Sequence, residues 1–384
     1  PQGETVAYAD RGEEVLREGV IVTCPGASRH RGTSAAPPDA GGAAMLMGVI
    51  ATDRSAVKRA AIKAVKWLIR QQNDDGSFQP LADGMAGFYK VPYALALAGQ
   101  SGRGVRLCTW IVDNSLDEDG DLGATFGRQG PLARYYGYGP AWIIAGAQKL
   151  GQFGLSMRAW AFLASLQHPD TGGFLREGPE AGLDDEQDML GTAAAGLAAL
   201  YMGDEDVAVA AGDFLVRRWE SVPQTGERMY LMVRRGEEPV RVYGDALDEE
   251  YVLQLAEPGQ WYYVPGLVAG FLVKLADATD ERSYLRVAQE YVRLCDAGAD
   301  DRYHSPRSGF FGWAASLLYA QTGNVNYERI AEAVLGALVA RQNPDGSWSE
   351  PMLPSELAAA RTDATAEGLI LSLEILDNLE ALIT

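Results

Sequence analysis

Between residues 55 and 71 the apolar positions Val57, Ala61, Ala64, Val65 and Leu68 recur with a helical period. One face of that helix is therefore set for burial and the other for water. The segments 101–114, 154–166, 204–218, 281–296 and 325–341 are polar-faced in the same way. Six further runs, near 88–98, 135–150, 188–202, 261–276, 309–321 and 362–377, are apolar almost all round, as the alanine- and glycine-rich stretch from Gly191 to Leu200 illustrates. A helix without a polar face has to be buried on every side. Alternating half-exposed and fully buried helices predict an all-α fold, an (α/α)6 toroid of six outer-inner pairs around a central cavity. An open solenoid is the competing arrangement, and the contrast between the two helix sets favours closure.

The junctions between helices repeat as well. A helical run ends in Gln, a turn rich in Asp, Asn and Gly follows, and then an aromatic: Trp67-x3-Gln71-x4-Gly76-Ser-Phe78, Leu163-x3-Gln167-x4-Gly172-Gly-Phe174 and Leu338-x3-Gln342-x3-Gly346-Ser-Trp348. Gly99, Gly151 and Gly203 follow one another at intervals of 52 residues, each placed to end a helix in the left-handed conformation. Two stretches break the pattern. Residues 1–50, rich in Gly, Pro and Ala, read as an irregular arm ahead of a single toroid over 51–384. The run Met229–Val233, a turn at Arg235 and Gly236, and Val240–Val242 predict a small β-hairpin insertion near 229–242.

The chain of 384 residues carries 33 basic and 52 acidic side chains, a net charge of −19. Such a field repels phosphate backbones and anionic headgroups, so nucleic acid is not an expected partner. No apolar run reaches the ~20 residues of a membrane span. Three cysteines, Cys24, Cys108 and Cys295, without CxxC spacing argue for a reducing, cytoplasmic setting and against a disulfide framework.

The Gln-turn-aromatic segments resemble the QW repeats of the squalene/hopene cyclase and protein prenyltransferase superfamily, the terpenoid-cyclase-like α/α toroids. The resemblance covers residues 55–384 and implies the toroid. It also implies a structural role for Gln71, Gln167, Gln342, Phe78, Phe174 and Trp348 in tying the outer helices together. The DxDD motif with which class II cyclases of that superfamily protonate an alkene is absent from the sequence, and Asp296, Cys295 and His304 lack the Asp-x-Cys arrangement of the prenyltransferase zinc site. Other enzymes on toroids of this size include unsaturated glucuronyl hydrolases, sugar epimerases and polysaccharide lyases, and the fold does not choose among them.

In a closed toroid the inner helices begin at one mouth of the cavity. Four of the six begin with aromatic clusters: Phe88, Tyr89, Lys90 and Tyr93; Tyr135, Tyr136, Tyr138 and Trp142; Trp261, Tyr262 and Tyr263; Phe310, Phe311 and Trp313. These rings either pack between the two layers or form a cup for an apolar, cationic or sugar guest. The other two begin with acids, Asp188 and Asp363, which serve either as N-caps or as an acid-base pair facing each other across the cavity. Asp188 also ends a DDxxD with Asp184 and Asp185, a weak candidate for holding magnesium; no resident cofactor is otherwise expected. His304, just before the fifth inner helix, is the histidine placed for general-base work. The candidate catalytic set is therefore Asp188, Asp363, His304, Tyr89, Tyr138 and Tyr262. Lys90, Tyr93, Tyr136, Trp142, Trp261, Tyr263, Phe310, Phe311 and Trp313 would contact substrate.

The expected activity is acid-base isomerisation, cyclisation or elimination, not redox, on a largely apolar isoprenoid or polyketide-like small molecule. A carbohydrate lyase, epimerase or unsaturated-uronyl hydrolase is the first alternative. A non-catalytic binding toroid is the second. The sequence sets no oligomeric state.

Overall fold

The computed structural model describes residues 52–78, 81–122, 132, 135–178, 186–221, 228–234, 238–240, 251–349 and 358–382, so the arm at 1–50 lies outside the described residues. Twelve α-helices run through them: α1 (Arg54–Gln71), α2 (Val91–Leu97), α3 (Ser101–Asn114), α4 (Tyr138–Lys149), α5 (Phe153–Ala164), α6 (Met189–Met202), α7 (Glu205–Glu220), α8 (Tyr263–Thr279), α9 (Arg282–Asp296), α10 (Gly309–Thr322), α11 (Val325–Ala340) and α12 (Ala358–Glu380). Odd-numbered helices form the outer ring and even-numbered helices the inner ring. The division follows burial: α9 hides only Tyr284, Val287, Ala288, Tyr291, Val292 and Cys295, one stripe of a helical period, whereas α8 buries every residue from Val264 to Val273.

The inner ring closes. α2 packs on α4, α4 on α6, α6 on α8, α8 on α10, α10 on α12, and α12 returns to α2. The outer ring closes through α1, which lies against both α11 and α12. The fold is an (α/α)6 toroid.

Helix ends show why the chain turns where it does. Asp53, Asp204 and Asn324 accept the first free N–H groups of α1, α7 and α11, satisfying donors that the helix itself leaves open. At the far ends Gly99, Gly151, Gly203 and Gly323 take positive φ, and Asp280 (φ 56°) does the same after α8.

The junction turns are the rivets of the outer ring. Gln342 donates to Gly346 O (3.0 Å) and to Ala60 O (2.8 Å) on the next outer helix. Gln167 does the same to Gly172 O and Val207 O, both at 3.0 Å. In the first turn this work falls to Gln72, not the expected Gln71: its side chain donates to Gly76 O and Arg103 O, each at 3.0 Å. Gln71 ends α1 one residue too early to face the turn. Gly346 (φ 95°) presses so close to α1 that a Cβ would meet the Lys63 carbonyl at 2.6 Å. Any side chain there would force the last turn off the first helix.

The predicted hairpin is present but differently paired. β3 (Met232–Arg234) folds back on β4 (Glu238–Pro239), and β1 (Gln187–Asp188), just ahead of α6, pairs with β3 on its other side. β2 (Arg228–Tyr230) leaves the hairpin to pair with β5 (Val252–Gln254). Arg235, Gly236 and Val242 lie outside the described residues. Among the described residues no helix is long and apolar enough to cross a membrane.

Candidate active site

The inner helices start at one end of the barrel, and there α2 and α12 bring four polar side chains together. Tyr89 and Lys90 immediately precede α2; Asp363 and Glu367 stand one turn apart on α12. Lys90 is only 3% exposed, its ammonium 3.1 Å from Asp363 Oδ1 and in still shorter contact with Glu367. Tyr89 donates to Asp363 Oδ2 at 3.0 Å. The rings of Tyr89 and Tyr138 line the ammonium at 4.8 and 5.6 Å from their centroids, where their electron-rich faces favour a cation.

The electrostatics divide the roles. Burial by itself would depress Lys90, but Asp363 and Glu367 outweigh it and hold the ammonium well above the usual lysine range. Burial and the Asp363 charge push the Tyr89 phenol well up, so it stays a proton donor. Asp363 moves the other way from an ordinary ion-paired acid: burial and the like charge of Glu367 raise it, against Lys90 and the Tyr89 hydrogen bond. Its side chain nonetheless keeps 28% of its surface in contact with solvent. The cluster thus contains a fixed cation, a fixed phenol and two partly exposed carboxyls, of which Asp363 has a raised proton affinity.

Tyr138, Tyr263 and Trp261 complete this rim. Burial raises the Tyr138 and Tyr263 phenols, and Tyr135, Tyr138, Arg307 and Glu367 all act on Tyr263. Trp261 stacks on Tyr263 with ring centroids 5.5 Å apart, and Arg307 covers Trp261 at 5.0 Å.

Deeper in the barrel Tyr93, Trp142, Phe310 and Trp313 line a narrow apolar chamber with alanine, leucine and isoleucine side chains. Its free volume is about 20 Å³, room for little more than one water. The floor is a second polar cluster. Glu374 accepts from Tyr93 (2.6 Å) and from Trp313 Nε1 (3.0 Å); Tyr93 also shares a 2.7 Å hydrogen bond with Tyr201. Burial would raise Glu374, yet Lys274, the Tyr93 bond, Lys149 and the Trp313 bond together hold it below the usual glutamate value.

Other expected site residues stand elsewhere. Asp188 is a buried N-cap of α6, accepting from Gly191 N at 2.6 Å, and the guanidinium of buried Arg176 lies beside it. No described contact joins it to Asp363, whose described carboxylate neighbour is Glu367, one turn along the same helix. Asp184 and Asp185 lie outside the described residues. Tyr262 points away from the cavity: its hydroxyl accepts from Ala299 N at 3.1 Å, and its ring lies against Phe311, which stacks in turn on Tyr303. Tyr136 likewise turns outward, donating to Asp121 at 2.5 Å beside Phe162. His304 is exposed, and its carbonyl accepts from Arg341 at the end of outer helix α11. A residue just ahead of an inner helix can face either ring, and sequence adjacency does not say which.

Glu367 and Glu374 had no place in the sequence-based set. Their signal was available: Asp363, Glu367, Ile370 and Glu374 are spaced 4, 3 and 4 residues apart, a single stripe along an otherwise apolar inner helix.

No protein-family model matches the sequence, and neither does any curated protein. Solved structures share the fold at low identity. A family 76 α-mannanase from Bacteroides thetaiotaomicron aligns with 85% of this chain and 97% of its own at 12% identity and a TM-score of 0.59. A D-mannose isomerase aligns with 84% and 97% at 14% identity and a TM-score of 0.60. A variant of the type II terpene cyclase MstE from Scytonema, in complex with geranylgeranyl dihydroxybenzoate, aligns with 84% and 99% at 14% identity and a TM-score of 0.55.

Proposed function

We propose that the protein is an acid-base enzyme acting on a polyhydroxylated, sugar-like small molecule at the Tyr89–Lys90–Asp363–Glu367 rim. The observation that carries this reading is Asp363, partly exposed, oriented by Tyr89 and raised in proton affinity beside a second carboxylate. A carboxyl tuned upward is better suited than an ordinary one to give and take protons at oxygen or at an activated carbon. It is a poor acid for an unactivated alkene. Asp363 would move the proton, Tyr89 would aim it, and the faces of Tyr138 and Tyr263 would pack against the C–H faces of a sugar ring. A mannanase and a mannose isomerase on the same scaffold are compatible with this substrate class.

A second reading, cyclisation or isomerisation of an apolar prenyl-type substrate, draws on the aromatic lining of the chamber and on the fold shared with a type II terpene cyclase. A volume of about 20 Å³ counts against it.

The two readings separate in one experiment. Wild type and Asp363→Asn are incubated with a panel of aldoses, uronic acids and short glycans, and in parallel with prenyl diphosphates and prenylated phenols, and products are read by mass spectrometry. The sugar reading expects conversion within the first panel and a 10²- to 10⁴-fold slower Asp363→Asn variant, the usual range for a lost general acid or base. Conversion of the prenyl panel alone, or equal rates for the two proteins, overturns it.

A further inference from the structure

Two carboxylates one helical turn apart would ordinarily share a proton in whichever way their exposure dictates. Here a third group is wedged between them. Lys90 is 3% exposed, whereas Asp363 and Glu367 each keep 28% of their side-chain surface in solvent. The cation is therefore inside and the acids outside, a geometry in which substrate meets the carboxylates and not the amine.

We propose that Lys90 is a positioning residue: buried beneath the two acids and in contact with both, its ammonium holds Asp363 at the rim through Oδ1 while Tyr89 holds Oδ2, so that Asp363 stays oriented as the carboxyl that carries the exchangeable proton. The inference rests on the acid-base reading of this rim and adds what orients Asp363 there. It also removes Lys90 from the candidate substrate contacts and from imine chemistry, because an ammonium clamped by two acids is not a nucleophile.

The other groups facing the pair agree with this arrangement. From the segment before α2, the Tyr89 hydroxyl binds the Asp363 oxygen that Lys90 does not reach. From α4, Tyr138 offers Lys90 a ring face at 5.6 Å. From α8, Tyr263 lies within electrostatic reach of Glu367 and of Arg307. No second cation reaches Asp363 among these groups.

The test follows carboxyl carbons by NMR in the intact protein labelled at aspartate Cγ and glutamate Cδ, with Asp363→Asn and Glu367→Gln assigning the two signals. Lys90→Met should move the Asp363 midpoint up by about 1–3 pH units, the size expected when an adjacent opposite charge is lost. Lys90→Arg should bring it back toward wild type. Glu367→Gln leaves the ammonium in place and should move the Asp363 midpoint down, since a like charge is gone and Lys90 is no longer shared. An Asp363 midpoint that stays put in Lys90→Met, or rises in Glu367→Gln, overturns the proposal; the second variant keeps the test decisive should Lys90→Met fail to fold. None of these readings needs a substrate. Failure of the titration therefore counts against Lys90, and equal turnover by Asp363→Asn counts against the acid-base reading itself.

Discussion

α12 and the segment that leads into and through α2 contribute to both polar clusters of the barrel, and the clusters set a carboxylate beside a tyrosine to opposite ends. At the rim, Tyr89, Lys90, Asp363 and Glu367 leave Asp363 Oδ1 without a hydrogen bond, served only by an ammonium shared with Glu367, and the carboxyl is pushed up. Roughly 16 Å further along α12, eleven residues at 1.5 Å each, Glu374 has hydrogen-bond donors on both oxygens and is pulled down. One carboxylate is underserved and raised; the other is saturated and lowered. A buried acid contributes to chemistry through what its surroundings withhold, and to stability through what they supply.

Replacing each acid in turn should break the comparison most sharply. Asp363→Asn is expected to lower turnover by the 10²- to 10⁴-fold given above while leaving the denaturant midpoint near wild type. Glu374→Ala is expected to do the reverse: it strands Tyr93 and Trp313 and costs about 3 kcal/mol in urea unfolding, with turnover at the rim close to normal. Loss of activity without loss of stability in Glu374→Ala would mean that the floor takes part in the reaction.

A subtler change tests whether the floor is built by packing. A Cβ on Gly270 would meet Trp313 Cζ3 at 2.0 Å, so Gly270→Ala must tilt that ring and stretch its bond to Glu374. The expected cost is about 1–3 kcal/mol, as for other overpacked cores, read from the same unfolding curves.

The two acids should also leave opposite marks on stability against pH. Glu374, lowered in the folded state, contributes stability that is present above its unfolded value of 4.5 and is lost as pH falls through the folded value. Asp363, raised, binds its proton more tightly when folded, so its contribution is present below 3.8 and is lost as pH climbs through the folded value. Difference profiles of Glu374→Gln and Asp363→Asn against wild type should therefore slope in opposite directions; parallel slopes would erase the distinction. The smallest effect belongs to His304→Ala: exposed and without a described contact to either cluster, it should shift stability by less than about 0.5 kcal/mol and leave turnover unchanged.

Much of the scaffold was legible in the sequence because burial writes itself into period. The all-round apolar runs became α4, α6, α8, α10 and α12, and the one-sided runs became the outer ring, with boundaries within a few residues. The glutamine of the first turn was misplaced by one, because Gln71 and Gln72 are indistinguishable until the end of α1 is fixed. The site was half legible. Tyr89, Lys90, Tyr138 and Asp363 meet at the rim, but Tyr136, Tyr262 and Phe311 face the outer ring, since neighbouring positions on a buried helix look alike in composition and differ only in azimuth. The acid stripe on α12 escaped because an inner helix was expected to carry acid only at its start.

The contact of the last turn with the first helix, Gln342 to Ala60 and Gly346 against Lys63, has a further consequence. In a linear array of repeats each end has a single neighbour, so such molecules fray and lose their units one after another. Joined here, every helix pair is held from two sides and none is terminal. Melting one pair opens the circle and deprives both flanking pairs of a partner, so hydrogen exchange throughout the inner helices should report a single free energy of opening rather than a gradient from the ends.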